Sequence, residues 1–139
     1  MLFRSTLYRA GFRHPGHTEY LAELAGPGVI PVMMLACPEL RVVPVTVHLA
    51  LRRAIEILSA DAIVAAGRIA DAALRRDFDI AAPVIAVAGL NPHAGEAGGL
   101  GREEIDIVQP AIAALRNAGV DARGPFAADT MFHAEARRP

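Results

Sequence analysis

Lysine is missing from this chain altogether: all 14 basic residues among the 139 are arginine. That excludes Schiff-base chemistry, a Walker-A phosphate lysine and a lysine general base. Tryptophan is also absent, and aromatics make up 5% of a chain that is 53% apolar. The core must therefore be built mainly from Ala, Val, Leu and Ile, which suits packed α/β layers better than an aromatic-rich β-sandwich. The single cysteine, Cys37, excludes an intrachain disulfide and a thiolate zinc cluster, and it reads as an inert small hydrophobe rather than a nucleophile. A net charge of −1 and no arginine run longer than a pair argue against a nucleic-acid surface. Long hydrophobic runs are lacking too. Leu24–Arg41 carries Glu39 and three prolines, and Ile80–Gly95 carries two, so neither approaches the roughly 20 apolar residues of a spanning helix. The first 18 residues hold Arg4, Arg9 and Arg13 and no acid, but the segment is poor in Ser and reads as a short helix rather than a transit peptide. The expectation is a cytoplasmic protein, without a membrane span, folded as a single α/β unit over residues 1–139.

What is present alternates between strand and helix signals. Leu7–Phe12 closes a helix at Gly11, and Thr18 caps a second one over Glu19–Ala25 that stops at Gly26-Pro27. Val29–Ala36 reads as a strand buried on both faces. Leu40–Val47 is a further β-type run, which Pro44 assigns to an edge or a bulge. Ser59 caps a helix over Ala60–Arg76 with Ile63, Ala66, Ala70, Ala73 and Leu74 on its apolar face and an Asp71–Arg75 pair on the other. Val84–Ala88 is the clearest strand. A glycine-rich loop follows over Gly89–Gly101, then a helix over Arg102–Ala118 that Pro110 must kink or split and Gly119 ends. Val120–Arg123 and Ala127–Phe132 fit strands or loops. This order implies βαβ units and a mainly parallel sheet with flanking helices.

Two of the five histidines, His48 and His93, follow predicted strands, where open α/β sheets place their ligands. Such a pair fits a divalent metal site, and a third ligand is open among His17, His133, Asp129 and Glu96. The loop carrying His93 is neither a Walker A nor a dinucleotide fingerprint. The acids that follow it, Glu103, Glu104 and Asp106, compensate the helix dipole and would repel phosphate, which leaves His93 and Glu96 as its candidates. Asp129 alone reads as a turn or cap residue. No nucleophile elbow is present.

The segments Pro15-Gly16-His17-Thr18-Glu19, Val32-Met33-Met34-Leu35-Ala36, Leu40-Arg41-Val42, Gly89-Leu90-Asn91-Pro92-His93-Ala94-Gly95-Glu96, Gly101-Arg102-Glu103-Glu104-Ile105 and Ala128-Asp129-Thr130 occur in this order. In sequence and spacing they resemble the 4-hydroxythreonine-4-phosphate dehydrogenases of vitamin B6 biosynthesis. The resemblance implies a fold like part of the isocitrate/isopropylmalate dehydrogenases. It also implies an NAD- and divalent-metal-dependent (Zn, Mg, Mn or Co) oxidation of 4-phosphooxy-L-threonine, followed by loss of CO2 to give 3-amino-2-oxopropyl phosphate. It implies a homodimer whose active site is shared across the interface. Carried over by motif, His17 and Thr18 are substrate-binding, His48 and His93 are metal ligands, and Asp129 is the catalytic candidate. No cofactor-binding residue is carried over. A metal held by neutral imidazoles can polarise the substrate hydroxyl and then the ketone, while the nicotinamide accepts hydride.

The family's third metal histidine, in a His-Asp-Gln motif, is expected beyond Pro139, and His133 is a poor substitute for it. Near Arg4 the family's Pro-Ile-Asn/Ser-Lys is not matched, and an arginine there cannot become a neutral proton donor or acceptor. These departures read the chain as the middle portion of a longer two-domain enzyme, with some of its apolar content meant for other segments or a partner subunit. The alternatives are a paralogue acting on threonate or erythronate 4-phosphate, a non-catalytic remnant, and a stand-alone metal-binding module. The isolated 139-residue chain is expected to bind zinc weakly and to give no NADH with 4-phosphooxy-threonine, as followed by absorbance.

Overall fold

A computed structural model describes Thr6, residues 9–14 and residues 16–135. It divides into two compact units, Met1–Ala50 and Leu51–Pro139. Of the first expected helix, Leu7 and Tyr8 lie outside the described residues, as do Arg4 and Pro15. Gly11 takes φ 88°, a left-handed value suited to ending a helix.

In the first unit, α1 spans His17–Ala25, β1 Leu35–Cys37 and β2 Leu40–Val42. Gly16, in extended conformation, occupies the position preceding α1, so the helix starts ahead of Thr18 and the expected threonine cap is not made. The two strands form an antiparallel hairpin, Leu35 opposite Val42 and Cys37 opposite Leu40. The strand expected over Val29–Ala36 is therefore confined to its end, and it is not buried: Val29, Ile30 and all three residues of β1 stand exposed. Pro31 removes a ladder donor within that run, and Gly28 at φ 82° breaks extended geometry just before it. Likewise β2 stops short of Pro44, as a residue without N–H dictates.

The second unit carries α2 (Leu51–Ile57), α3 (Ala60–Asp77), β3 (Val84–Ala88), a π-helical turn (Glu104–Val108), α4 (Gln109–Asn117) and β4 (Asp121–Phe126). The short exposed α2 has none of the usual cap residues before it and was not foreseen. Ser59 caps α3 as expected, its Oγ accepting the Ala62 N–H at 3.2 Å. Asp71 and Arg75 pair through two hydrogen bonds of 2.9 and 3.1 Å. Pro110 splits the second long helix: the π turn ends before it, and it sits in the first turn of α4, where its missing N–H costs nothing. Gly119 at φ 84° closes α4, and β4 returns parallel to β3, Val84 beside Asp121 and Ile85 beside Ala122. The α/β class thus rests on this parallel pair, while the hairpin of the first unit is antiparallel. Ala127–Phe132 forms turns rather than a strand.

The core lies in the second unit: Ile63 of α3, Val108 of the π turn, Ala111, Ile112 and Leu115 of α4, Val120 just before β4 and Ala122 within it. Gly67 lets α3 approach α4, because a Cβ there would meet the Leu115 methyls at 2.8 and 2.9 Å. Among the described residues, no helix is long and apolar enough to cross a membrane. Leu115 is fully buried at the centre of this packing. Leu115→Ala is expected to lower the unfolding free energy by about 2–5 kcal/mol, read as an earlier urea midpoint.

Candidate functional site

The loop that follows β3 is wrapped around one carboxylate. Gly89 donates its N–H to the Phe126 carbonyl at 2.7 Å, which ties the loop's start to the end of β4. The next two N–H groups, of Leu90 and Asn91, both donate to Glu104 Oε1 at 2.7 Å. The Asn91 side-chain amide bridges Glu104 Oε2 at 2.9 Å and Glu103 Oε2 at 2.7 Å. Space is made for the carboxylate by glycine: a Cβ on Gly95 would lie 2.6 Å from Glu104 Oε2.

Held in this way, Pro92–Gly98 coils into a short 3-10-type turn of the opposite hand. His93, Ala94, Gly95, Glu96 and Ala97 take φ of 52°, 53°, 77°, 44° and 55°. Four of these five residues carry a Cβ, and each such residue costs roughly 1–2 kcal/mol in a left-handed helical conformation. A run of this kind persists only where its surroundings over-determine it. The Leu100 N–H to Gly95 carbonyl bond, 3.0 Å, closes the turn from its far end.

Glu104 is 2% exposed, the one buried charged side chain among the described residues. Burial acts to raise its pKa. The Asn91 amide and the backbone N–H groups of Asn91, Glu104 and Leu90 more than offset it, so the carboxyl lies below the ordinary glutamate range. Glu104 thus does more than compensate the helix dipole: it is the anchor of the loop. Its signal was present, since Glu104 falls at helical spacing with Val108, Ala111 and Leu115, on the face that is buried. A carboxylate on such a face must find donors.

His93 is the first residue of the left-handed run, and its side chain is 61% exposed. Its Nδ1 lies 3.1 Å from Asp129 Oδ2. Asp129 is presented by a turn after β4 in which Thr130 and Met131 donate N–H bonds to the Ala127 carbonyl. The structure thus brings His93 and Asp129 together, although sequence alone made Asp129 only a turn residue. Glu96 and His133 are exposed.

His17, Thr18 and His48 belong to the first unit. His17 and Thr18 open α1. His48 has φ 57°, and its ring lies over Gly16, where a Cβ would stand 2.6 Å from Cε1. Its Nδ1 is 3.6 Å from Glu19 Oε1, while Glu19 Oε2 is buried with no hydrogen-bond partner among the described residues. His14 instead packs between Phe12 and Tyr20 and meets Glu23 through Nε2 at 3.0 Å, an arrangement of a structural histidine. Among the described residues of either unit by itself, no three His, Cys, Asp or Glu side chains converge as a metal-binding group. Within its own unit each histidine turns Nδ1 toward a carboxylate, His48 toward Glu19 and His93 toward Asp129, and imidazole is a donor of the kind a divalent cation takes.

Comparison with known proteins gives a consistent picture. The family model described as pyridoxal phosphate biosynthetic protein PdxA matches residues 2–139. A 4-hydroxythreonine-4-phosphate dehydrogenase of Bradyrhizobium diazoefficiens is 60% identical over 137 residues, covering 96% of this chain and 40% of that protein. One of Caulobacter vibrioides is 55% identical over 139 residues, 96% of this chain and 42% of its own. The crystal structure of the enzyme of that name from Klebsiella pneumoniae superimposes with a TM-score of 0.81 at 45% identity, over 91% of this chain and 38% of that one. A terephthalate 1,2-cis-dihydrodiol dehydrogenase from Burkholderia xenovorans LB400 superimposes with a TM-score of 0.73 at 36% identity, over 82% of this chain and 37% of its own. The chain spans about 40% of the length of the curated relatives it matches.

The lowered carboxyl of Glu104 makes stability pH-dependent. A carboxyl whose pKa falls on folding contributes fully above its unfolded value, about 4.3, and the contribution is lost as pH drops through the folded value. Glu104→Gln is expected to lose about 1–3 kcal/mol near neutrality. Its acid-unfolding profile below pH 4 should be flatter than the parent's, as followed by circular dichroism.

Proposed function

The chain belongs to the pyridoxal phosphate biosynthetic protein PdxA family, and from that premise we propose that it supplies substrate- and metal-facing residues to a dehydrogenase acting on 4-phosphooxy-L-threonine. The reaction oxidises the substrate's secondary hydroxyl, with hydride passing to NAD, and the resulting 3-oxo acid loses CO2 to leave 3-amino-2-oxopropyl phosphate. The observation that carries this reading is the family match over residues 2–139, which takes in every motif residue named above. The shared name of the relatives at 60% and 55% identity favours this substrate over threonate or erythronate 4-phosphate. The same reading takes the working enzyme to be a cytoplasmic homodimer.

Each residue then has a definable task. His17 and Thr18, in the first turn of α1, offer an imidazole and a hydroxyl as substrate-binding groups. His93, with Nδ1 3.1 Å from Asp129, would offer Nε2 as the ligating nitrogen, since a hydrogen bond at one ring nitrogen directs a ligand to the other. His48, with Nδ1 3.6 Å from Glu19 Oε1, is the other imidazole of the reading. Each of these imidazoles is a group that would ligate a divalent cation. Asp129, the catalytic candidate, would orient the His93 ring through its Oδ2, 3.1 Å from Nδ1. When bound, the cation supplies Lewis-acid polarisation and the dinucleotide supplies a hydride acceptor.

A chimera tests the reading. Residues 1–139 would replace the matching stretch of the Bradyrhizobium diazoefficiens relative, and NADH formation with 4-phosphooxy-threonine would be followed. Activity within about tenfold of the host is expected, with His48→Ala or His93→Ala lowering kcat/KM by about 100-fold or more. A folded chimera that reduces no NAD with this substrate would reject the proposal.

A further inference from the structure

We propose that Glu104 is a positioning residue for His93, acting through the backbone of the left-handed turn rather than by touching substrate or metal. The inference rests on the reading of His93 as a ligand, but its argument is geometric. Glu104 Oε1 takes the N–H groups of Leu90 and Asn91, the second of which stands two residues before His93. Its Oε2 takes the Asn91 amide, so backbone and side chain of one residue are fixed by a single carboxylate. One residue later, after Pro92, the chain enters six consecutive residues of positive φ, with His93 first and Gly98 last.

A backbone dihedral determines where a Cβ points, and the imidazole of His93 reaches Asp129 from φ 52°. In an ordinary right-handed or extended conformation the same side chain would leave in another direction. The carboxylate therefore sets which way His93 points, and Asp129 then sets which nitrogen carries the proton. A different residue type would not serve. Glutamine presents an N–H2 where one oxygen must accept, and aspartate is one methylene short of the loop. Glu103 shares only the Asn91 amide, so it supports the anchor without replacing it.

The test uses the 139-residue chain with 15N-labelled histidine, observed by long-range 1H–15N correlation above pH 8, where imidazoles are neutral. His93 is expected as the Nδ1–H tautomer in the parent. In Glu104→Gln it should revert to a mobile mixture dominated by Nε2–H, while His14, whose Nε2 faces Glu23, keeps its spectrum. A merely structural glutamate would lower the melting temperature without changing the His93 tautomer. A folded Glu104→Gln chain that retains Nδ1–H His93 overturns the proposal. Should that variant not fold, Glu104→Asp decides: it keeps the charge but stands one methylene short of the Leu90 and Asn91 N–H groups, so a parent-like His93 spectrum again overturns the proposal, and a shift toward the mixture supports it. Zinc ions added alone separate the two readings. His93 signals unmoved by zinc in the parent would reject His93 as a ligand, and the tautomer comparison would still decide the role of Glu104.

Discussion

The carboxylate of Glu104 is the constraint on which the candidate site depends. Removing an ionised carboxylate from water costs on the order of several kcal/mol unless donors replace the lost hydration. Here the donors come from the loop after β3: two consecutive backbone N–H groups and one side-chain amide. The compensation is therefore reciprocal. The π turn can bury an acid on its apolar face because the loop wraps it, and the loop can hold a left-handed run because the acid fixes its entry. Removing either partner leaves the other with unsatisfied polar groups in a space closed to water, so loop and helix start behave as one unit.

The two histidines read as metal ligands share an unusual pairing of features. Each sits at positive φ, 57° for His48 and 52° for His93, and each turns Nδ1 toward a carboxylate. Half-exposed pairs of this type add little stability, typically below about 1 kcal/mol. Their effect is on orientation and tautomer, which matter to a ligand far more than to a folded state. Backbone strain at both positions fits the same view: conformations that raise the energy of the chain are retained where direction of a side chain has value.

Much of the second unit was legible in the sequence because its signals are local. Ser59 capped a helix whose apolar period matched its buried face, Val84–Ala88 was found to the residue, and Pro110 and Gly119 punctuated the last helix where they should. The failures share a cause as well. Val29–Ala36 was apolar enough for a buried strand, but apolarity alone does not say whether a segment has a partner strand. The His93 loop was rightly singled out, yet its left-handed course is not written in any residue type, since His, Ala and Glu all disfavour it. What specifies it is Glu104, and that dependence joins residues thirteen or fourteen positions apart. Reading the acid as dipole compensation considered its neighbours along the chain and not the face on which it lies.

The units also differ in what holds their functional residues. Every buried apolar side chain among the described residues belongs to the second unit, so the loop bearing His93 stands on a packed core running from Ile63 to Ala122. The first unit, spanning Met1–Ala50, has no buried apolar side chain among its described residues, while Tyr20, Leu21, Leu24, Val29 and Ile30 remain exposed. A stretch of that size cannot by itself bury enough apolar area to offset the entropy of ordering it. His48 lies close over Gly16 and turns Nδ1 toward Glu19, whereas His93 stands on a loop held by a buried network built into a core. The same imidazole chemistry is thus supported at two different levels of rigidity, and of the two positions His93 is the one whose geometry the chain itself enforces.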